Sequence, residues 1–99
     1  MHSIEWAAGL FEGEGCIDAS NKRLCLSMSD KDVVDSFESV FPGGRRYIEA
    51  PRSERHKPMY RYFINKKNLI ITYLSQMLPF LHNRRAYKAL NILDDLELA

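Results

Sequence analysis

The sequence is short of most of what would tie it to a secreted, metal-stapled or membrane class. It has two cysteines in 99 residues, too few for a disulfide scaffold, and Cys16 and Cys25 read most simply as free thiols. A structural zinc site needs about four ligands at close spacing, and His2, His56 and His82 are scattered. No apolar run reaches the ~18–20 residues of a membrane span, and no basic-then-apolar start marks a signal peptide. The expectation is a soluble, cytoplasmic protein. Repeats, low-complexity tracts and linkers are also missing, so residues 1–99 read as one domain. At this length only roughly 60–70% of the unfolded surface is buried. An oligomer is therefore expected before any motif is considered.

Charge is scarce in sum but not in distribution. The net charge is +1, yet residues 1–19 hold Glu5, Glu12, Glu14 and Asp18 with no Lys or Arg. Residues 41–67 hold Arg45, Arg46, Arg52, Arg55, Lys57, Arg61, Lys66 and Lys67 against Glu49 and Glu54. A molecule polarised in this way can hold phosphates on one surface while staying near neutral overall. A solvated charged loop is the plainer reading of the same patch.

Periodicity supplies the elements. Ser3 is placed to cap a first helix ending near Glu12, with Gly13 and Gly15 as its stop. Cys16 to Ser20 alternates as a short strand, Ser20-Asn21-Lys22 is turn material, and Leu24, Leu26 and Met28 alternate with Cys25, Ser27 and Ser29. Asp30 heads a second helix with an apolar stripe of Val33, Val34, Phe37, Val40 and Phe41, stopped by Pro42-Gly43-Gly44. Arg45–Ala50 and Met59–Asn65 form a second hairpin. Leu69–Leu78 is helical, Pro79 breaks it, and Asn83–Leu98 is a last helix with Ala86, Leu90 and Leu93 inward. The predicted order is α-β-β-α-β-β-α-α, an α+β fold with a four-stranded antiparallel sheet.

Strand parity then assigns the two faces of the sheet. Leu24, Leu26, Met28, Tyr60, Tyr62 and Ile64 point to the helices. Cys16, Asp18, Ser20, Arg23, Cys25, Ser27, Ser29, Arg61 and Phe63 point away. On the third strand Arg45, Tyr47 and Glu49 share a face, taken as outward. A one-residue slip would invert any strand.

Residues 6–17 read Trp-Ala-Ala-Gly-Leu-Phe-Glu-Gly-Glu-Gly-Cys-Ile. This stretch resembles the LAGLIDADG motif of homing endonucleases, in the variant ending Gly-Glu-Gly. The resemblance continues in order through Leu24–Asp32, Phe41-Pro42-Gly43-Gly44, His56–Tyr62 and Leu78-Pro79-Phe80-Leu81 followed by Arg84-Arg85, so it covers nearly the whole chain. The motif is also legible physically. Gly9 and Gly13 are four apart and share a helical face, where missing side chains let another helix approach closely. The plainer reading makes Gly13 only a helix stop.

The resemblance implies that two such helices cross at the centre of a molecule. With one motif per chain the partner comes from a second copy, and Trp6, Gly9 and Gly13 become the expected homodimer contact. Glu14 matches the acidic residue that binds metal, with the Gly13 carbonyl beside it, and Glu12 matches an earlier, structural acid. Paired carboxylates repel unless a cation intervenes, which suits Mg²⁺ or Mn²⁺ with oxygen ligands and retained water. The family commonly has a lysine where this sequence has Arg84. An arginine side chain stays protonated and cannot act as a base, although it can stabilise developing negative charge. Asp30 matches a water-positioning polar residue of some relatives and also reads as an N-cap.

Such a protein reads double-stranded DNA by laying the outward sheet face in the major groove. Arg23, Arg45 and Arg61 are then the candidates for guanine edges, with Tyr47 on the same face. Ser20, Ser27 and Ser29 offer further hydrogen bonds, and Phe63 an apolar contact to a thymine methyl. Arg52, Arg55, Lys57, Lys66 and Lys67 would hold phosphates. The expected function is that of a homodimeric, Mg-dependent, sequence-specific DNA endonuclease. A non-cleaving DNA- or RNA-binding protein, either a regulator or an intron splicing helper, is the alternative on the same scaffold. A protein-interaction domain that never touches nucleic acid is a third.

Overall fold

The computed structural model describes residues 2–51 and 53–98. Its elements run α1 (Ile4–Glu14), β1 (Gly15–Asp18), β2 (Arg23–Met28), α2 (Lys31–Val40), β3 (Arg45–Glu49), β4 (Met59–Ile64), α3 (Lys67–Met77), a 3-10 turn (Leu78–Phe80) and α4 (Asn83–Leu98). The four antiparallel strands lie in the order β1-β2-β4-β3. This is the α+β arrangement expected from the sequence.

Helix α3 starts at Lys67, two residues before its expected start, and the limits of α1 and β1 are corrected as well. Helix α1 starts where the Ser3 hydroxyl accepts from the Trp6 amide at 3.1 Å, but it runs on to Glu14. Gly13 is therefore a helical residue, not the stop, and Glu14 closes the last turn instead of lying past it. Strand β1 ends at Asp18, because the Asp18 carboxylate accepts from the Asn21 amide at 3.2 Å and Nδ2 at 2.9 Å and turns the chain there. Ser20 consequently lies in the turn, not on the sheet. Asp30 does stand at the head of α2, but its side chain makes no capping bond.

One layer of core separates sheet and helices. Ala7, Ala8 and Phe11 of α1 pack with Leu24, Leu26, Tyr62 and Ile64 of the sheet, Val34 and Phe37 of α2, and Ile70, Leu74 and Met77 of α3. Tyr62 ties this layer to the α2–β3 turn: its hydroxyl donates to the Phe41 carbonyl at 2.6 Å and accepts from the Gly44 amide at 3.0 Å. A Cβ at Gly44 would lie 2.3 Å from the Phe63 carbonyl oxygen, so only glycine permits that approach. Gly15 is equally constrained, since a Cβ there would overlap the Phe11 ring at 2.3 Å.

Helix α4 departs from the expected pattern on one side. It buries Ala89, Ile92, Leu93 and Leu96. Leu90, expected inward, is 50% exposed and shares the outer side with Tyr87. Positions 89, 92, 93 and 96 already complete an inward stripe at helical spacing, which leaves position 90 outside it.

Candidate metal and nucleic-acid site

The outward face of the sheet follows the predicted parity. Its rows run Cys16–Cys25–Phe63–Arg45 and Ser27–Arg61–Tyr47, with Asp18 opposite Arg23 at the far corner. Glu49 lies opposite Met59 at the other end. Behind this face Arg46 turns to α2 and pairs with Asp35 at 2.9 Å and Glu38 at 2.8 Å. That contact fixes the parity of β3 and leaves Arg45 and Tyr47 outward. Ser29 follows β2 in an exposed bend.

The three guanine candidates are not alike. Arg23 donates from Nε to Asp18 at 3.1 Å, and its guanidinium carbon lies 4.4 Å from the centre of the Phe63 ring. Arg61 donates from both Nε, at 2.9 Å, and Nη2 to a single Glu49 oxygen. Arg45 is exposed, and among the described residues its side chain has no hydrogen bond or ion pair. Tyr47, 51% exposed, meets Phe63 edge-on at 5.4 Å. Asp18 and Glu49 thus hold two of the arginines, a role that sequence reading gave to neither. The signal was available for one of them, since Asp18 and Arg23 flank the turn at residues 19–22.

The basic candidates lie at the two ends of β4 and are open to solvent. Arg55 and Lys57 are exposed in the β3–β4 loop. Lys66 and Lys67 are exposed at the head of α3, where Lys66 occupies the N-cap. Arg52 lies outside the described residues.

At the opposite end of α1 the backbone and acids are sorted by α4. Arg85 donates from Nε to the Glu12 carbonyl at 2.6 Å, from Nη1 to the Gly15 carbonyl, and pairs with the Glu12 carboxylate at 2.9 Å. Glu12 also accepts from the His82 amide at 2.6 Å. Glu12 is therefore committed to structure. Glu14 is exposed, as are Gly13 and Arg84.

Among the described residues no three His, Cys, Asp or Glu side chains cluster to hold a metal. At the C-terminus of α1, whose carbonyls favour cations, Glu14 is exposed and has no hydrogen bond or ion pair among the described residues. These oxygens suit a hard divalent ion, and they would need a second copy's Glu14 to make a pair of carboxylates. The outer face of α1 is open. Gly9 and Gly13 are exposed, and a Cβ at either position would meet nothing within 4 Å. Half-buried Trp6 and Leu10 complete that stripe.

The four helices and the four-stranded antiparallel sheet form an α+β fold like that of homing endonucleases. Residues 3–77 match the model of the LAGLIDADG-like domain, and the chain belongs to the LAGLIDADG family. No curated protein matches the sequence. Among solved structures it is similar to the homing endonuclease I-CvuI in complex with an I-CreI target in the presence of 2 mM Mg, where the DNA is not cleaved. The identity is 17%, the TM-score 0.72, and the match covers 95% of this chain and 65% of that one. It is also similar to I-CvuI in complex with its own target in the presence of 2 mM Ca, at 19% identity and TM-score 0.71 with the same coverage, 95% and 65%. The chain thus spans 65% of the length of these neighbours. No helix among the described residues is long and apolar enough to cross a membrane.

Proposed function

We propose that two copies of this chain, each a single domain, form a cytoplasmic, Mg²⁺- or Mn²⁺-dependent, sequence-specific endonuclease that cuts double-stranded DNA. The observation that carries this reading is the division of labour at the end of α1. Arg85 occupies Glu12 and the carbonyls of Glu12 and Gly15, and Glu14 is left exposed beside the glycine stripe.

In this reading Trp6, Gly9 and Gly13 meet the same residues of the second copy. Glu14 and the Gly13 carbonyl of each chain would hold the metal, which would supply charge stabilisation at the phosphate and a more acidic water. Arg84 faces the developing negative charge as a fixed cation. The outward sheet face enters the major groove through Arg23, Arg45, Tyr47, Arg61 and Phe63, with Ser20, Ser27 and Ser29 adding hydrogen bonds. Arg52, Arg55, Lys57, Lys66 and Lys67 bind phosphates and set register. Two-fold symmetry of the protein calls for a pseudo-palindromic site.

The test is cleavage of a random plasmid or genomic library with Mg²⁺. Glu14→Gln should abolish cutting while leaving DNA binding intact, and undiminished cutting by that variant removes Glu14 from the site. A second reading, a non-cleaving DNA- or RNA-binding regulator or splicing helper, is favoured by Arg84 standing where the family usually has lysine. Salt-sensitive binding without cleavage in either metal would establish it, and preference for RNA would mark the splicing version.

A further inference from the structure

Three outward arginines stand on one sheet face, but their carboxylate neighbours leave them with different hydrogen-bonding capacity. Arg61 has spent Nε and Nη2 on Glu49. Arg45 is uncommitted and unrestrained among the described residues. Arg23 alone is both restrained and open. Its Nε is held by Asp18 at 3.1 Å, its plane is backed by the Phe63 ring at 4.4 Å, and neither terminal nitrogen donates to a described residue. Asp18 is itself fixed by the turn, through the Asn21 amide at 3.2 Å and Nδ2 at 2.9 Å.

We propose that Asp18 is a positioning residue for base recognition, holding Arg23 so that its two terminal NH₂ groups form a ready fork for the O6/N7 edge of a guanine. The proposal rests on the DNA-binding reading above and assigns it one reader. Bidentate arginine–guanine pairing is the commonest specific contact in the major groove. A guanidinium already fixed in plane loses less rotamer freedom on docking than a free one. The carboxylate has a second effect. It balances the charge of Arg23, so the side chain gains less from any nearby phosphate, and what remains to it is directional hydrogen bonding to a base. The Asn21 hydrogen bonds, with Arg23 adding to them, hold the Asp18 carboxyl below its ordinary range, so the ion pair persists at neutral pH.

Selection of bound sequences from a random double-stranded DNA library, with Ca²⁺ present to allow binding without Mg²⁺, tests this on the full chain. Asp18→Asn is the informative variant. Its Oδ1 can still accept from the Asn21 amide and keep the turn, while its Nδ2 can accept from neither Arg23 nor Asn21 Nδ2. The wild type should select a guanine whose preference falls on the order of ten-fold or more in Asp18→Asn. The same guanine should be lost in Arg23→Ala and in Arg23→Lys, because lysine has no fork. Affinity of Asp18→Asn for non-cognate DNA should hold or rise, since Arg23 is released to phosphates. An Asp18→Asn variant that keeps the wild-type motif overturns the proposal, as does one that weakens on all sequences in parallel. A wild type that selects no motif at all instead removes the reading of the chain as a sequence-specific DNA binder, and this proposal with it.

Discussion

Arg85 of α4 closes the far end of α1 by gripping Glu12 twice, through its carbonyl at 2.6 Å and its carboxylate at 2.9 Å. The adjacent Arg84 is exposed. Two neighbouring arginines of one helix therefore do different work, and substitution should separate them. Arg85→Ala strips charge-assisted hydrogen bonds from a half-buried site, each of a kind worth about 1.5–3 kcal/mol, and should lower the melting temperature by several degrees. Arg85→Lys should recover only part of it, because an ammonium cannot bridge both carbonyls. Arg84→Ala should leave stability within about 0.5 kcal/mol and reduce cleavage instead. Equal melting temperatures for Arg84→Ala and Arg85→Ala would refute this division.

The glycines of α1 make the opposite sort of prediction, one whose sign depends on assembly. A Cβ at Gly9 or Gly13 meets nothing in the single chain, so Ala at either helical position should raise the stability of a monomer by up to about 1 kcal/mol. A close helix-to-helix dimer would feel the same methyl as an obstruction. Gly13→Ala should therefore weaken self-association in sedimentation while strengthening the isolated fold, and Gly13→Leu should give monomers. A Gly13→Leu dimer of wild-type affinity removes α1 from the interface.

Much of this architecture is legible in the sequence, for reasons that differ by element. Strand parity placed Tyr62, Leu24 and Leu26 inward and Arg45 and Tyr47 outward because each strand has one buried face, so a slip in register would expose the core. The limits of α1 were harder. Glycine is a poor helical residue, and nothing local to Gly13 reveals that Arg85, far along the chain, ties down the Glu12 and Gly15 carbonyls and extends the helix. Leu90 was misplaced because its neighbours at 89, 92, 93 and 96 satisfy the same period. At the candidate site, the residue types on the sheet were readable, but the ion pairs were not. Which arginine is held, and by which nitrogen, depends on cross-strand register and turn shape together.

Tyr62 joins core packing to pH response. Burial pushes its phenol above the ordinary range, so the neutral hydroxyl is the form that the fold binds. Stability from that preference is present below the unfolded value, about 10, and is lost as pH rises from there through the folded value. Tyr62→Phe removes the donor to Phe41 and the acceptor for Gly44, and should cost about 1–3 kcal/mol at neutral pH. The variant should also lose part of the wild type's destabilisation above pH ~10. Parallel alkaline unfolding curves for the two proteins would show that Tyr62 is not the responsible group.

The acid limb should report a different pair of groups. Hydrogen bonds from Asn21, with Arg23, lower the Asp18 carboxyl, and hydrogen bonds from Lys31 and Arg46 lower that of Asp35. A carboxyl lowered by folding stabilises the native state above its unfolded value, about 3.9, and that contribution disappears as pH falls through the folded value. Both groups are solvent-accessible, so the effect of each is modest and screened by salt. Unfolding followed from pH 6 downward should therefore show stability declining below about pH 4, with the decline shallower in Asp18→Asn and Asp35→Asn and shallowest in the double variant. The Asp35 share should shrink further when Arg46 is replaced by Met, since Arg46 is the partner that Asp35 shares with Glu38. If the double variant followed the wild-type curve at every pH, the acid sensitivity would belong to other carboxylates, and neither ion pair would hold its group in the native state as the geometry indicates.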